Sequence, residues 1–173
     1  MSQNNSVIGA YSFKDDSTIE RLNDRGYHQT WRIDPDSDLC VDKMANVETY
    51  QQVFTLSKSM QIKEKYGAAD ILLVRHVVEH AYDISEFVAA IRLLVKSDGY
   101  IIWELPDCKK ALLNGDCTMV WEEHIHYFTE FTFKQFLISS NDESDNDFLK
   151  NTPAQLITIS IEENSFLIFL ISL

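Results

Sequence analysis

Hydrophobic and polar residues along the first third of the chain predict a strand, a helix and a second strand. Ser6–Ala10 is a short apolar run that ends beside a glycine, as expected for a buried strand. Ser17 and Glu20 have the spacing of a capping box, and the helix that they begin extends to about Arg25. Tyr27–Ile33 alternates between polar and apolar positions, which is typical of a strand.

The middle of the chain predicts two further strands with a helix between them. Thr49–Phe54 predicts a third strand, and Thr55 caps a helix that ends near Gly67. Asp70–Arg75 is a continuous apolar run of strand length. Such runs suit a parallel strand that is covered on both faces.

The second half of the chain contains the clearest amphipathic helix. Its apolar residues recur at helical spacing: Ile84, Phe87, Val88, Ile91, Leu94 and Val95. A turn at Asp98-Gly99 leads into a strand at Tyr100–Glu104, and Thr129 begins a later helix. Two apolar segments, Leu156–Ile161 and Phe166–Leu173, predict a terminal antiparallel pair.

This order of elements predicts the fold class. Strands that alternate with helices favour a mostly parallel sheet with helices on both faces, and the final hairpin adds an antiparallel edge. We therefore expect one three-layer, Rossmann-like α/β domain over residues 1–173. In such sheets, ligands bind beyond the carboxyl ends of the strands.

The net charge, the cysteines and the first residues of the chain disfavour several classes of function. The net charge of −12 disfavours general binding to nucleic acids and to anionic membranes, but it permits a small-molecule partner. The three cysteines, Cys40, Cys108 and Cys117, form no CxxC pair, which argues against a disulfide framework and a structural zinc site. The first residues lack the features of a signal peptide, so a cytoplasmic location is expected. The oligomeric state is left open.

Several stretches along the chain carry a resemblance to a known family. They are Val7–Gly9, Trp31–Pro35, Ala69–His80 and Gly99–Asp107. Together with the order of elements, they resemble the class I S-adenosylmethionine-dependent methyltransferases. The resemblance implies S-adenosylmethionine as cofactor and methyl transfer as the reaction.

A fifth stretch, Trp121–Phe128, resembles the Tyr-x-Glu-His-x-x-Tyr-Phe segment of a subgroup that includes deoxysugar C-methyltransferases. In that subgroup the histidine is the proposed general base. The resemblance therefore implies a catalytic role for His124, with Glu123 beside it. Trp121 replaces the tyrosine of the subgroup, whose N-terminal zinc domain and C-terminal extension have no counterpart in this sequence. The substrate therefore carries over only as a sugar-like small molecule.

The loop after Gly9 is the first candidate for cofactor binding. A nucleotide loop needs glycines, because the backbone must turn tightly and approach the ligand closely. Gly9 is present, but Tyr11 and Phe13 occupy positions where further glycines are expected. The loop is therefore either a variant cofactor loop or an ordinary turn from a strand into a helix.

Three further residues are candidates for cofactor binding. Asp34 ends the second strand, where a carboxylate can accept the hydroxyl groups of a ribose. An Asp before a Pro is also a common turn former, so a purely structural role stays open. Arg75 and His76 follow a buried strand and are expected at the mouth of the cofactor site.

A separate hypothesis comes from the motif His-x-x-Glu-His, formed by His76, Glu79 and His80. It matches the inverted zinc-protease signature and would make the protein a zinc hydrolase, with a third ligand from Glu123 or His126. The motif follows a short buried strand, however, whereas zinc proteases carry theirs on a long helix. A turn without metal is the favoured interpretation.

Two function classes therefore compete ahead of the zinc hydrolase. The first is methyl transfer to a small-molecule acceptor. The second is a non-catalytic binding module in which Tyr11 and Phe13 fill the space for the cofactor. The directions of these two side chains discriminate between them, because core-facing or outward rings favour the enzyme.

Overall fold

Six strands form one sheet in the order β2-β1-β3-β4-β6-β5. The computed structural model describes residues 5–120, 123–142, 156–161 and 166–172. The first four strands run parallel, and β6 lies antiparallel to both β4 and β5. The strands are β1 Ile8–Ala10, β2 Thr30–Arg32, β3 Ala69–Arg75, β4 Val95–Pro106, β5 Leu156–Ile161 and β6 Phe166–Ser172.

The described helices lie between these strands, and side-chain caps begin several of them. Asn46, Thr55 and Asp83 each accept a hydrogen bond from a main-chain N–H of the first turn that follows. The α-helices are α1 Asp16–Asp24, α2 Val47–Val53, α3 Leu56–Tyr66, α4 Ile84–Leu93, α5 Lys109–Asn114 and α6 Glu130–Asp142.

Apolar side chains pack on both faces of the sheet. On one face, Ile8, Ala10 and Leu73 pack against Ile19 and Leu22 of α1. The opposite face carries the larger core, built from the other strand residues and from α3, α4 and α6. The expected three-layer α/β fold with a closing antiparallel hairpin is therefore confirmed.

The predicted third strand at Thr49–Phe54 is wrong, because the segment lies in α2 up to Val53, and Phe54 caps the helix. Asn46 caps the helix, and Val47 and Tyr50, three residues apart, are both buried. A helix turns such a pair toward the same face, whereas a strand would point them apart.

The second difference is the length of β4. The strand begins at Val95, so the expected turn at Asp98-Gly99 is part of it, at a shift in the register with β3. A Cβ on Gly99 would lie 2.6 Å from Cγ1 of Val95 and 3.0 Å from the carbonyl oxygen of Asp70. The glycine therefore permits the close approach of the two strands.

The remaining elements agree with the sequence. The strand before His76 and the terminal hairpin form as expected. The first helix also forms, but it begins at Asp16, so Ser17 lies in its first turn and does not cap it. Most of the polar segment 141–147 lies outside the described residues. No described helix is long and apolar enough to cross a bilayer.

Candidate functional site

Three segments meet beyond the carboxyl ends of the parallel strands. They are the loop after β1, the turn after β3, and the segment 123–128. Ile125 and His126 both donate their main-chain N–H to the carbonyl oxygen of Glu79, over 2.9 and 3.1 Å. These two hydrogen bonds hold the segment against the turn that follows β3.

An ion cluster joins the ends of β3 and β4. Arg75 donates from Nε and Nη2 to the two carboxylate oxygens of Glu104, over 2.8 and 3.0 Å. Nε2 of His76 lies 2.9 Å from Oε1 of the same carboxylate. The hydrogen bonds from His76 and Arg75 lower the pKa of Glu104 to about 2, so it stays ionised at neutral pH.

Asp15 is the buried acid of the loop after β1. Its side chain has no exposed surface, and its Oδ1 lies 3.6 Å from Nη1 of Arg75. Burial is the main cause that raises the pKa of Asp15 to about 6, against the lowering effect of Arg75. In the same loop, Nζ of Lys14 donates to the carbonyl oxygen of His76 over 2.8 Å.

The backbone at His76 has a φ of 51°, in the left-handed region. Its N–H donates to the carbonyl oxygen of Glu104 over 2.8 Å, which holds this conformation in place. After it, Val78–His80 forms a single 3₁₀ turn. His76 and His80 therefore do not share the face of a long helix, as the zinc-protease interpretation requires.

Glu79, His80 and His124 lie together where the 3₁₀ turn meets segment 123–128. Glu79 is 2% exposed and His80 is 5% exposed. The rings of His80 and His124 are 4.7 Å apart between centroids, nearly perpendicular. Burial and the nearby His80 lower the pKa of His124, and burial raises that of Glu79.

The neighbours of His124 in the sequence have structural contacts. Glu123 is exposed, and its carbonyl oxygen accepts a hydrogen bond from Nδ1 of His80 over 2.9 Å. Nε2 of His126 lies 2.9 Å from the carbonyl oxygen of Ala81. Trp121 lies outside the described residues.

Gly9 and Tyr11 both contribute to packing. A Cβ on Gly9 would lie only 2.5 Å from the ring of Trp31, so this glycine makes room for the tryptophan. The ring of Tyr11 is fully buried and contacts Phe54 and Phe87 at centroid distances of 5.1 and 5.4 Å. Phe13 is 47% exposed and points outward.

Asp34 lies at the carboxyl end of β2, as expected. One of its oxygens, Oδ1, accepts a hydrogen bond from the N–H of Ser37 over 2.8 Å, and this bond lowers the pKa of the carboxyl. The carboxylate is therefore ionised at neutral pH.

A cavity of about 410 Å³ opens between the end of α2, the two residues that follow it, and the start of α4 with the loop before it. Its lining includes Gln51, Phe54, Ala81 and Phe87. The volume lies within the range of small-molecule pockets, about 300–1,000 Å³. Gln51 donates from Nε2 to the carbonyl oxygen of Val77 over 2.7 Å, so the cavity adjoins the turn after β3.

A comparison with protein families identifies the class of enzyme. Residues 16–141, well over half of the chain, match the family model described as a methyltransferase domain. The chain belongs to this family. The expected enzyme class, a methyltransferase with S-adenosylmethionine as its cofactor, is therefore confirmed at the level of the family. No curated protein is significantly similar to this methyltransferase in sequence.

Solved structures confirm the fold of this methyltransferase. A SAM-dependent methyltransferase from Archaeoglobus fulgidus has 14% identity and a TM-score of 0.54, over 99% of this chain and 87% of the other. One from Aquifex aeolicus has 6% identity and a TM-score of 0.56, over 96% and 81%. A 1,6-didemethyltoxoflavin-N1-methyltransferase from Burkholderia thailandensis, solved with S-adenosylhomocysteine, has 10% identity and a TM-score of 0.52, over 97% and 71%.

The site of this methyltransferase fits a cofactor that carries polar groups and a planar ring. Near the strand ends, the buried oxygens Asp15 Oδ1 and Oδ2 and Gln51 Oε1 have no hydrogen-bond partner among the described residues. Buried groups of this kind ordinarily have partners, which the polar groups of a bound cofactor would supply. Phe54 and Phe87 supply apolar surface in the cavity.

Sequence reasoning missed Asp15, Gln51 and Glu104 as members of the site. The sequence could have identified Glu104, because it ends a predicted strand, and ligand-binding groups gather at the carboxyl ends of strands. Asp15 and Gln51 had none, because their importance comes from burial and from contacts across the fold.

Proposed function

We propose that this methyltransferase transfers a methyl group to a sugar-like small molecule, with His124 as the base that takes the acceptor's proton. The observation that carries the proposal is the position of His124. It lies half-buried beside His80, on a segment that is hydrogen-bonded to the turn after β3. Ligands of this fold bind at that edge of the sheet.

The environment of His124 suits a base. Burial and the nearby His80 lower its pKa, so its ring is mostly neutral at pH 7 and has a lone pair for a proton. Glu123 acts through its main chain, because its carbonyl oxygen holds Nδ1 of His80. We therefore propose Glu123 as a positioning residue.

The cofactor side uses a different set of residues. Asp34 would accept the ribose hydroxyls, and Gln51 would accept a hydrogen bond from the adenine, which Phe54 and Phe87 would flank. When bound, S-adenosylmethionine supplies a methyl group on a positively charged sulfur. Arg75 and His76 hydrogen-bond to Glu104 and keep it ionised. We propose that this cluster would lie at the mouth of the cofactor site.

The sugar-like acceptor is proposed from the resemblance of segment 121–128 to the deoxysugar C-methyltransferases. The Burkholderia thailandensis neighbour acts on 1,6-didemethyltoxoflavin, which supports a small-molecule acceptor in general. The non-catalytic alternative is disfavoured, because Tyr11 faces the core and Phe13 faces outward.

Isothermal titration with S-adenosylmethionine and with S-adenosylhomocysteine tests the cofactor side. We expect saturable binding that weakens at least about tenfold in Asp34→Ala, since the variant loses a charged hydrogen-bond acceptor. Asp36→Ala is the matched control, because Asp36 is exposed and its ion pair with Lys43 is long, at 3.6 Å. A folded protein that binds neither compound at millimolar concentration would overturn the proposal.

Methyl transfer to a panel of nucleotide-linked and free sugars tests the acceptor side. His124→Gln should lower kcat by about 100-fold or more and leave cofactor affinity unchanged, as expected for loss of a general base. Equal kcat in the variant and the parent would rule out the base.

A further inference from the structure

Glu79, His80 and His124 bring one carboxylate and two imidazoles to one point. One oxygen or nitrogen atom from each of the three residues lies within 4.8 Å of the others. Oε1 of Glu79 and Nε2 of His80 are 4.0 Å apart. Two ligand atoms on one zinc-sized cation are at most about 4.2 Å apart, since each bond measures about 2.1 Å. The cluster therefore has nearly the dimensions of a coordination site.

The hydrogen bonds of His80 engage its Nδ1 and leave the lone pair of Nε2 available to a cation. Nδ1 lies 2.9 Å from the carbonyl oxygen of Glu123 and 3.3 Å from Oε1 of Glu48. Both partners accept hydrogen bonds, so Nδ1 carries the proton and the lone pair is on Nε2, which faces Glu79. A carboxylate or carbonyl behind a histidine in this way is the usual support of a metal ligand.

Glu79 supplies a second, independent sign of a cation. Its side chain is 3% exposed, and among the described residues no donor reaches its Oε2. A buried carboxylate oxygen without a donor is costly, and a bound cation would compensate its charge. Glu48 adds further negative charge next to the cluster, because its carboxylate lies beside His80.

We propose that Glu79, His80 and His124 bind a divalent first-row transition-metal cation. The two nitrogen ligands favour Zn²⁺, Co²⁺ or Fe²⁺ over Mg²⁺ and Ca²⁺, which prefer oxygen. Three protein ligands leave at least one open position for another molecule. His76 takes no part, because its Nε2 is held by Glu104.

The inference goes beyond the proposed methyl transfer and does not depend on it. In the cation-bound state His124 is a ligand, so its proposed role as a base belongs to the cation-free state. Cation binding and cofactor binding use different residues. They can therefore be measured separately.

Cobalt is the probe, because Co²⁺ absorbs visible light when nitrogen and oxygen atoms of a protein surround it. The full chain with Cys40→Ser and Cys117→Ser, which removes the exposed thiols, is treated with a chelator and titrated with Co²⁺. We expect saturation near one equivalent, together with a visible band. We also expect His124→Gln to weaken the affinity by at least about tenfold.

His28→Gln is the matched control, since it removes a histidine from the connection between α1 and β2, and it should bind cobalt like the parent. Glu79→Gln is a second test, provided that circular dichroism shows a folded protein. The absence of a saturable band in the parent, or equal affinity in His124→Gln and the parent, would overturn the metal site. Titration of the same samples with S-adenosylmethionine shows separately whether the cofactor proposal holds.

Discussion

Individual buried groups show how sequence position and structural role diverge in this protein. Gly9 stands where a cofactor loop begins, yet the contact that requires a glycine is with the ring of Trp31. Tyr11, two residues later, fills the core beside Phe54 and Phe87 rather than approaching a ligand. A glycine expected from a nucleotide-binding pattern thus also has a role in packing.

The buried carboxyl of Asp15 is expected to lower the stability of the folded protein when it is ionised. Its pKa is raised from 3.8 to about 6 in the folded protein, so the fold favours the protonated form. The resulting cost to stability is absent below pH 3.8, grows as the pH rises, and is complete above about pH 6. Asp15→Asn should therefore increase the free energy of unfolding at pH 8 by at most about 3 kcal/mol, and by roughly a third of that amount near pH 4.5.

Urea unfolding at the two pH values measures this difference. Asp16→Asn is the control, because Asp16 is largely exposed and its ion pair with Arg32 is a surface one. A gain in Asp15→Asn that is the same at both pH values would contradict the assignment of the cost to the ionised carboxyl.

The strands β3 and β4 are joined by two ion pairs of different kinds. At the carboxyl end, Arg75 and Glu104 form a bidentate, half-buried pair. Near the other end, Lys96 and Asp70 form a more exposed one, over 2.7 Å. Pairs with two parallel hydrogen bonds and little solvent contribute more than exposed single ones.

Glu104→Gln should lower the free energy of unfolding by about 1–3 kcal/mol, because it leaves the partly buried guanidinium of Arg75 without its carboxylate. Lys96→Gln, which breaks the exposed pair between the same strands, should cost less than about 1 kcal/mol. Thermal and urea unfolding of both variants measure the two losses in the free energy of unfolding. Equal losses would show that the bidentate geometry adds nothing.

Elements were predictable where periodicity and caps agreed. The capping threonine at Thr55 and the apolar spacing after Asp83 each identified a helix correctly. The prediction of a strand at Thr49–Phe54 failed. Its β-branched and aromatic residues favour strands locally, whereas the cap from Asn46 and the packing of Tyr50 stabilise a helix. In this segment, tertiary contacts outweigh the local preference for a strand.

The molecule as a whole depends on a hairpin that comes last in the chain but lies inside the sheet order. β6 is inserted between β4 and β5, so residues distant in sequence complete the core. Phe169 has no exposed surface and packs on Phe133 of α6 at a centroid distance of 4.9 Å.

Phe169→Ala should therefore lower the free energy of unfolding by about 3–5 kcal/mol, as expected for a buried phenylalanine. Ile168→Ala, at the adjacent half-buried position, should cost clearly less. Both losses are read from urea unfolding curves. A small loss in Phe169→Ala would mean that the hairpin contributes little to the core.

The sequence predicted the fold better than the site. Alternation of strands and helices is a local signal, and it was sufficient for the parallel sheet and its closing hairpin. The meeting of His124 with Glu79 and His80 depends on how segment 123–128 folds back across more than 40 residues, and no local pattern encodes that contact. The resemblance predicted a role for His124, whereas only the structure shows that Glu79 and His80 lie beside it.

The attachment of segment 123–128 through main-chain N–H groups has a consequence for protein engineering. The carbonyl oxygen of Glu79 receives the N–H groups of Ile125 and His126, and main-chain bonds of this kind can form with any residue except proline, which has no N–H. Ile125 is 43% exposed and Tyr127 is half-buried. Libraries randomised at positions 125 and 127, with proline excluded at 125, would thus vary the chemistry next to His124 while both main-chain hydrogen bonds to Glu79 are kept.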